Sequence, residues 1–176
     1  TLQFAADIPI ANRVGAISGL AFSARDEFLY FGGSDGVVRK VQFKPTLMNI
    51  QRVLELKSIT RDGDAIRIGA LVTVTELMRD ALIREHFPVL VEAGDHFASD
   101  QIRNAATLGG NLCNASPAGD TLVPLLVLDA RVVLTRKNGA LESRTIPVAE
   151  FFTGPGKTKR AAFELVTAIE IPLPPA

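Results

Sequence analysis

Between apolar stretches the chain interrupts itself with "RNAATLGGNLCNASPAGD", residues 103–120. The adjacent glycines Gly109 and Gly110 stand among three asparagines, a proline and two further small polar stretches. Such residues cannot build a core, and a long polar segment inside a compact chain is usually a functional loop. Adjacent glycines adopt positive φ without a Cβ clash. Successive amides in such a turn form a concave nest that attracts anions, and Thr107 and Asn111 beside them add donors. A second cluster, "GGSDG", Gly32 to Gly36, follows the apolar run "FLYF". Two nests of this kind could hold the two phosphates of a pyrophosphate. Either one alone equally fits an ordinary tight turn. Asp120 can accept hydrogen bonds from sugar or ribityl hydroxyls; as a helix N-cap near Thr121 it has a compatible structural role.

The rest of the chain narrows the field. Its 176 residues make one domain, or two small lobes sharing a core. Lysine plus arginine and aspartate plus glutamate balance at 19 each, which argues against nucleic acid as a main partner. No apolar run approaches the length that spans a bilayer, and "TLQFAADIPIANR" has no secretion-signal pattern. The one cysteine, Cys113, allows no internal disulfide and no four-cysteine cluster, and suits a reducing, cytoplasmic compartment. It reads as a small buried residue rather than a reactive thiol. His86 and His96 are not at metal-ligand spacing, so no metal site is expected.

Periodicity gives an α+β chain. Residues 9–27 read as a weak helix, weakened by Gly15 and Gly19. A strand at 28–31, the turn at 32–36, a turn at Lys44–Pro45 and a short strand at 46–50 follow. Asp62-Gly63 marks a hairpin, with "IRIGALVTV" alternating as its second strand. Thr75 is a candidate N-cap for a helix over 76–86, and Pro88 opens another over 88–99. After the polar segment come a helix over 121–130, a strand over 131–137, a hairpin turn at Asn138-Gly139 and a return strand over 143–148. A helical turn at 149–152, a loop at 153–160 and a strand at 163–174 close the chain.

"GPGKT", Gly154 to Thr158, ends like a phosphate-binding G-x-x-x-x-G-K-[ST] loop, but its first glycine would fall on Phe151. "IPVAEFF" before it is no buried strand, so ATP hydrolysis is not expected. No nucleophile–base pair emerges and there is no G-x-S-x-G. No catalytic residue is assigned. The chain reads as a binder of something phosphorylated.

The order "QIRNAATLGGNLCNASPAGDTLVPLLVLDARVVL", with "RIGALVTVTEL" before and "FFTGPGKT…ELVTAIEIP" after, resembles the FAD-binding subunit or domain of the molybdenum hydroxylases, the xanthine dehydrogenase and carbon monoxide dehydrogenase family. "GGSDGVV" resembles that family's first flavin loop. The resemblance covers roughly residues 28–172 and is densest over 99–134. It implies a two-lobed FAD-binding fold: a small βαβ-like N-terminal lobe over 1–57, and over 58–176 a larger lobe of antiparallel sheet and helices. Gly32, Gly33, Ser34, Asp35 and Gly36 would form one pyrophosphate nest, and Thr107, Leu108, Gly109, Gly110 and Asn111 the other. Asp120 would contact the flavin's polar chain, Ala115, Ser116 and Pro117 would shape the wall, and Val166 would pack on the cofactor. The family's further C-terminal domain is expected to be absent, since the sequence stops at "IPLPPA". The implied partners are a small subunit with [2Fe–2S] clusters and a large subunit with the molybdenum cofactor. Electrons would pass through FAD to NAD⁺ or another acceptor. The redox chemistry belongs to the cofactor, which agrees with the missing catalytic group. Phe31, Ser34 and Gly36 depart from the family's usual first loop, and this motivates an alternative: a structural or docking subunit that has lost flavin.

Overall fold

The computed structural model describes residues 2–4, 17–23, 28–33, 38–43, 50–138, 140–161 and 163–174, the first four groups as backbone strands. The chain divides into two units, Thr1–Ile50 and Gln51–Ala176.

In the first unit, β1 (Leu2–Phe4), β2 (Ile17–Ser23), β3 (Phe28–Gly33) and β4 (Val38–Phe43) form an antiparallel sheet in the order β1-β4-β3-β2. The strand expected at 28–31 is present and runs two residues further. The helix expected over 9–27 is corrected: residues 17–23 are strand. Gly19 penalises a helix, while Ile17 and Phe22 favour a pleated surface. The βαβ-like order is corrected with it, because every described pairing here is antiparallel. The turn at Lys44–Pro45 and all but the last residue of the strand at 46–50 fall outside the described residues.

The second unit confirms the α+β class. Its five strands are β5 (Ile59–Asp62), β6 (Ala65–Gly69), β7 (Arg131–Asn138), β8 (Ala140–Pro147) and β11 (Leu165–Pro172), in the order β5-β6-β11-β7-β8, all antiparallel. The hairpin signal at Asp62-Gly63 is met: Asp62 pairs with Ala65, and Gly63 turns the chain at φ 61°. β7 and β8 form the second expected hairpin, with Asn138 opposite Ala140. Alternation puts Ile66, Ile68, Val132, Leu134, Val166, Ile169 and Ile171 into one core with Leu77, Ile83, Phe87, Leu90, Leu108, Leu112 and Leu125 of the helices. Each such buried side chain contributes roughly 1.5–3 kcal/mol. β8 is an edge strand whose residues are exposed except Ile146, and its charges discourage pairing with another chain.

Two helix boundaries differ from the sequence reading. The strand expected over 66–74 stops at Gly69, where a Cβ would lie 2.3 Å from the Leu56 carbonyl oxygen. Helix α1 (Val74–Arg79) is capped by Thr73 rather than Thr75. Thr73 has Glu76 three residues on, so both halves of a capping box form; Thr75 instead donates to Asn104 Oδ1 at 2.7 Å. The helix expected over 76–86 breaks at Asp80, which leaves α1 in extended geometry and caps α2 (Ala81–His86) through the amides of Leu82 and Ile83. Pro88 begins α3 (Pro88–His96) as expected. Short α4 (Asp100–Arg103), α5 (Leu108–Asn114), α6 (Leu122–Val127) and α7 (Val148–Phe151) follow. Part of the loop expected at 153–160 is a small hairpin of β9 (Phe152–Gly154) and β10 (Lys157–Thr158).

Candidate functional site

Thr107 faces Thr73 across an isolated antiparallel bridge at the start of α5. The Val74 amide donates to the Ala106 carbonyl at 3.0 Å, and the Leu108 amide to Val72 at 2.9 Å. The Gly109 amide donates to the Ala70 carbonyl at 3.0 Å. Gly110 N–H donates to the Thr107 hydroxyl at 3.1 Å, and Asn111 N–H to the Thr107 carbonyl at 2.9 Å. The expected nest of free amides at 107–111 is therefore corrected. "TLGGN" is a capped helix start docked edge-on against 70–74, and its four amides have partners. Gly109 is required by proximity: a Cβ would sit 2.6 Å from Ala70 Cβ and 2.8 Å from its carbonyl oxygen. Gly110 differs. It is exposed, and a Cβ there would meet only the Thr107 hydroxyl, at 2.8 Å.

In the first cluster Gly32 and Gly33 are strand residues. Gly32 pairs with Gly19 and Val38, and Gly33 with Ile17. Ser34, Asp35 and Gly36 lie outside the described residues.

Past α5 the chain turns through Ala115, whose φ of 48° and ψ of 39° make a left-handed C-cap. Ser116 follows, its hydroxyl accepting from the Ala118 amide at 3.3 Å, and its carbonyl accepting from Gly119 at 3.0 Å. Asp120 is exposed, and its carboxylate makes no hydrogen bond or ion pair among the described residues. It does not cap α6: the N-cap is Thr121, with no side-chain capping bond. Buried Thr121 instead donates to Asn111 Oδ1 at 2.7 Å, and the amide nitrogen of Asn111 has no acceptor among the described residues. The Asn111 nitrogen and the exposed Gly110 thus lie at the helix start, while the exposed Asp120 follows the 115–119 turn in the chain.

The turn that follows α5 helps line an apolar depression of about 260 Å³. It is lined by the 115–119 turn, by Leu122, Val123 and Leu126 of α6, and by Phe152, Gly154 and Pro155 of the β9–β10 segment. The expectation for 115–117 as a wall is compatible with this. The contribution of Phe152, Gly154 and Pro155 is not among the expected site residues, although "GPGKT" stands within the stretch that carries the family resemblance and otherwise reads as a surface loop. Its actual setting is the β9–β10 turn, which is not the strand-to-helix loop of a nucleotidase. The usable signal was Gly156: its amide donates to the Ala115 carbonyl at 2.9 Å and ties this turn to the site.

Other expectations separate from the site. Val166 is 3% exposed and packs in the sheet core, so its side chain does not reach the depression's surface. Cys113, expected buried, is exposed on α5. Desolvation by the surrounding protein still raises the pKa of its thiol, against the opposing charge of Arg160. Glu164 is the strongly perturbed acid. Hydrogen bonds from Arg144 hold its carboxyl down at about 2, well below an ordinary 4.5. Among the described residues no group of three or more His, Cys, Asp or Glu could hold a metal ion, and no helix is long and apolar enough to cross a membrane.

Residues 20–174 match the family model for the FAD binding domain in molybdopterin dehydrogenase. The chain is 33% identical over 98% of its length to the xanthine dehydrogenase FAD-binding subunit of Escherichia coli O157:H7, spanning 59% of that protein. It is 35% identical over 82% of its length to the nicotinate dehydrogenase FAD-subunit of Eubacterium barkeri, spanning 50% of it. Among solved structures, carbon monoxide dehydrogenase from Hydrogenophaga pseudoflava superposes with a TM-score of 0.66 at 29% identity, over 71% of this chain and 42% of that one. Quinoline 2-oxidoreductase from Pseudomonas putida 86 gives 0.69 at 26% identity, over 76% and 46%. The chain thus spans about half the length of the proteins it matches, and the matched segment runs through the docked helix start, the 115–120 turn and the β9–β10 wall: it belongs to the family of FAD-binding domains of the molybdopterin dehydrogenases.

Proposed function

We propose that FAD is held over the start of α5 and the depression beside it, and that the chain serves as the flavin-carrying, electron-transferring component of a molybdenum-dependent hydroxylase. The observation that carries this reading is the apolar depression lined by the 115–119 turn, which directly continues the chain from α5 and leads into the exposed Asp120. FAD has a charged diphosphate, a hydroxylated chain and a flat apolar ring. The Asn111 amide nitrogen and the Gly110 amide, after yielding the neutral Thr107 hydroxyl, can donate to phosphate oxygens; a bond to a charged acceptor is the stronger one. The Asp120 carboxylate can accept from chain hydroxyls. The 115–117 turn, Leu126, Phe152 and Pro155 offer the ring an apolar face that excludes water. Thr107, Leu108 and Gly109 place these groups by docking the helix start. Residues 32–36 remain our candidates for a second phosphate contact, and 1–57 and 58–176 our proposed lobes.

FAD, when bound, supplies two-electron and one-electron transfer; this chain's residues bind, orient and shield it. In the assembly we propose, a [2Fe–2S] subunit delivers electrons from a molybdenum subunit that oxidises the substrate, and NAD⁺ or another acceptor removes them. The names of the relatives as subunits of dehydrogenases support this. An exposed free thiol suits a reducing, cytoplasmic setting.

One observation favours the second reading, a docking subunit without flavin: the amides of 108–111 already have acceptors. Titration of FAD fluorescence separates the two. Saturable quenching, weakened about tenfold or more by Asp120→Ala through loss of a charged hydrogen bond, supports the flavoprotein. Absence of saturable quenching supports the docking subunit.

A further inference from the structure

We propose that Glu164 and Arg144 are positioning residues for the candidate site: together they lock the segment 154–161 so that its tip braces Ala115 and stands as the far wall of the depression. This rests on the FAD reading above.

The two ends of the lock are explicit. At the site end, Gly156 N–H donates to the Ala115 carbonyl at 2.9 Å. Ala115 is a non-glycine residue in the left-handed region, a conformation that persists only where surroundings enforce it. At the far end, Arg144 reaches from edge strand β8 across β7 to the residue before β11. Its Nε donates to Glu164 Oε1 at 2.6 Å and its Nη2 to Oε2 at 2.7 Å, a bidentate pair. The same Nη2 donates to the Lys159 carbonyl at 3.1 Å. Glu164 Oε2 also accepts from the Ala161 amide at 2.8 Å, and Arg160 Nη1 donates to the Glu164 carbonyl at 2.8 Å. The Lys159 amide is tied to the Phe151 carbonyl at 2.7 Å.

Stability alone does not account for this arrangement. The Glu164 side chain is 6% exposed but that of Arg144 is half-exposed, and an ion pair open to solvent on one side gives little net stabilisation. The segment it fixes contributes little to the core: residues 155–157 and 159–161 are exposed, and Gly154 and Gly156 have positive φ. An exposed, glycine-containing segment is ordinarily mobile. What the lock secures is the shape of a surface. Gly154 and Pro155 line the same depression as Ala115, Ser116 and Pro117. Release of the segment removes one wall and the hydrogen bond that holds Ala115.

The test uses the whole chain with Glu164→Gln, Arg144→Lys and a control, Ile83→Val, which lowers stability from a buried position on α2. FAD affinity, thermal midpoint and trypsin cleavage after Lys157, Lys159 and Arg160 are measured for each. We expect wild type to bind FAD and to be cleaved more slowly with FAD present. Glu164→Gln should bind FAD at least tenfold more weakly and be cleaved faster, with Arg144→Lys between, while Ile83→Val leaves affinity unchanged. If Glu164→Gln fails to fold, Arg144→Lys, whose side chain lies 49% exposed in the native protein, carries the test. Wild-type affinity in the lock variants, or a loss that merely tracks the thermal midpoint as in the control, overturns the lock and leaves the FAD reading intact. A wild type that does not bind FAD overturns the reading and the lock with it.

Discussion

Two glycine-rich segments, 107–111 and 154–158, look alike in sequence and are held for opposite reasons. In the first, Gly109 takes ordinary helical geometry and is needed because Ala70 leaves no room for a Cβ. In the second, a Cβ on Gly154 or Gly156 would meet nothing within 4 Å, and the requirement is conformational, φ 153° and 68°. The first segment is fixed by packing and by backbone bonds to a neighbouring stretch. The second is fixed from outside, by one bond to Ala115 and by the Arg144–Glu164 pair. A glycine pair therefore reports that a side chain is unwelcome without saying whether space or torsion forbids it.

The sharpest way to break the comparison is to add bulk to each segment. Gly109→Val drives two methyl groups toward the Ala70 backbone, which cannot yield without separating α5 from the 70–74 stretch. Overpacking of this kind costs about 3 kcal/mol. Chemical denaturation should show this loss, and with it a loss of FAD affinity, because the helix start is displaced. A Gly109→Val protein of wild-type stability would mean that α5 is not docked as described.

Acid should act on the second segment alone. The Glu164 carboxyl is held at about 2 in the folded chain, by Arg144 first and with help from the Ala161 amide and Arg136, against an ordinary 4.5. A depressed folded value means that the pair's stabilisation is fully present above about 4.5 and is lost as pH falls toward about 2. Over that window, hydrogen exchange at the Gly156 and Ala161 amides, corrected for intrinsic rates, should accelerate. The Leu108 and Gly109 amides, bonded to neutral backbone carbonyls, should keep their protection. Equal acceleration at both places would indicate general unfolding instead of release of one lock.

How much of this was legible follows from the same contrast. Hairpins were readable because Gly63 and Asn138 carry their turn chemistry locally. The antiparallel sheet of the larger unit and the start of α3 at Pro88 were readable on similar grounds or from the resemblance. Thr73 was overlooked because Thr75 is the same residue type two places on, and only the partner at Glu76 distinguishes them. The helix expected over 9–27 gives way to strand at 17–23, the part of that stretch the structure describes, because a short apolar run broken by Gly19 does not distinguish helix from strand by periodicity. The free amides at 107–111 failed for a deeper reason. The Leu108 and Gly109 amides are taken by Val72 and Ala70, which are distant in sequence and reach the site through tertiary packing, while Gly110 and Asn111 are taken locally by Thr107 as the helix cap. The Arg144–Glu164 lock was invisible for the same reason.

Torsion is the smaller lever. Gly156→Ala places a Cβ at φ 68° with open space around it, so only the left-handed conformation opposes it, at about 1 kcal/mol. Thermal denaturation should report a modest loss, and Gly156 N–H should keep its bond to Ala115. A loss as large as that of Gly109→Val would show that the second segment is packed, and the contrast between the two would vanish.

The smallest expected change in stability is at Gly110, and it is the most informative about function. Alanine is the better helix former by about 1 kcal/mol. Its Cβ would lie 2.8 Å from the Thr107 hydroxyl and push it out of its capping position, which costs about 1 kcal/mol. The two nearly cancel, so the denaturation midpoint of Gly110→Ala should stay close to wild type. Binding has no such compensation. The methyl group occupies the open space through which a phosphate oxygen would approach the Gly110 amide, and loss of one hydrogen bond to a charged group weakens affinity about tenfold to a hundredfold. Unchanged stability with weakened FAD titration would set Gly110 apart from its neighbour as a residue kept small for a ligand. Unchanged affinity would leave both glycines as consequences of packing and would move the proposed phosphate contact away from α5.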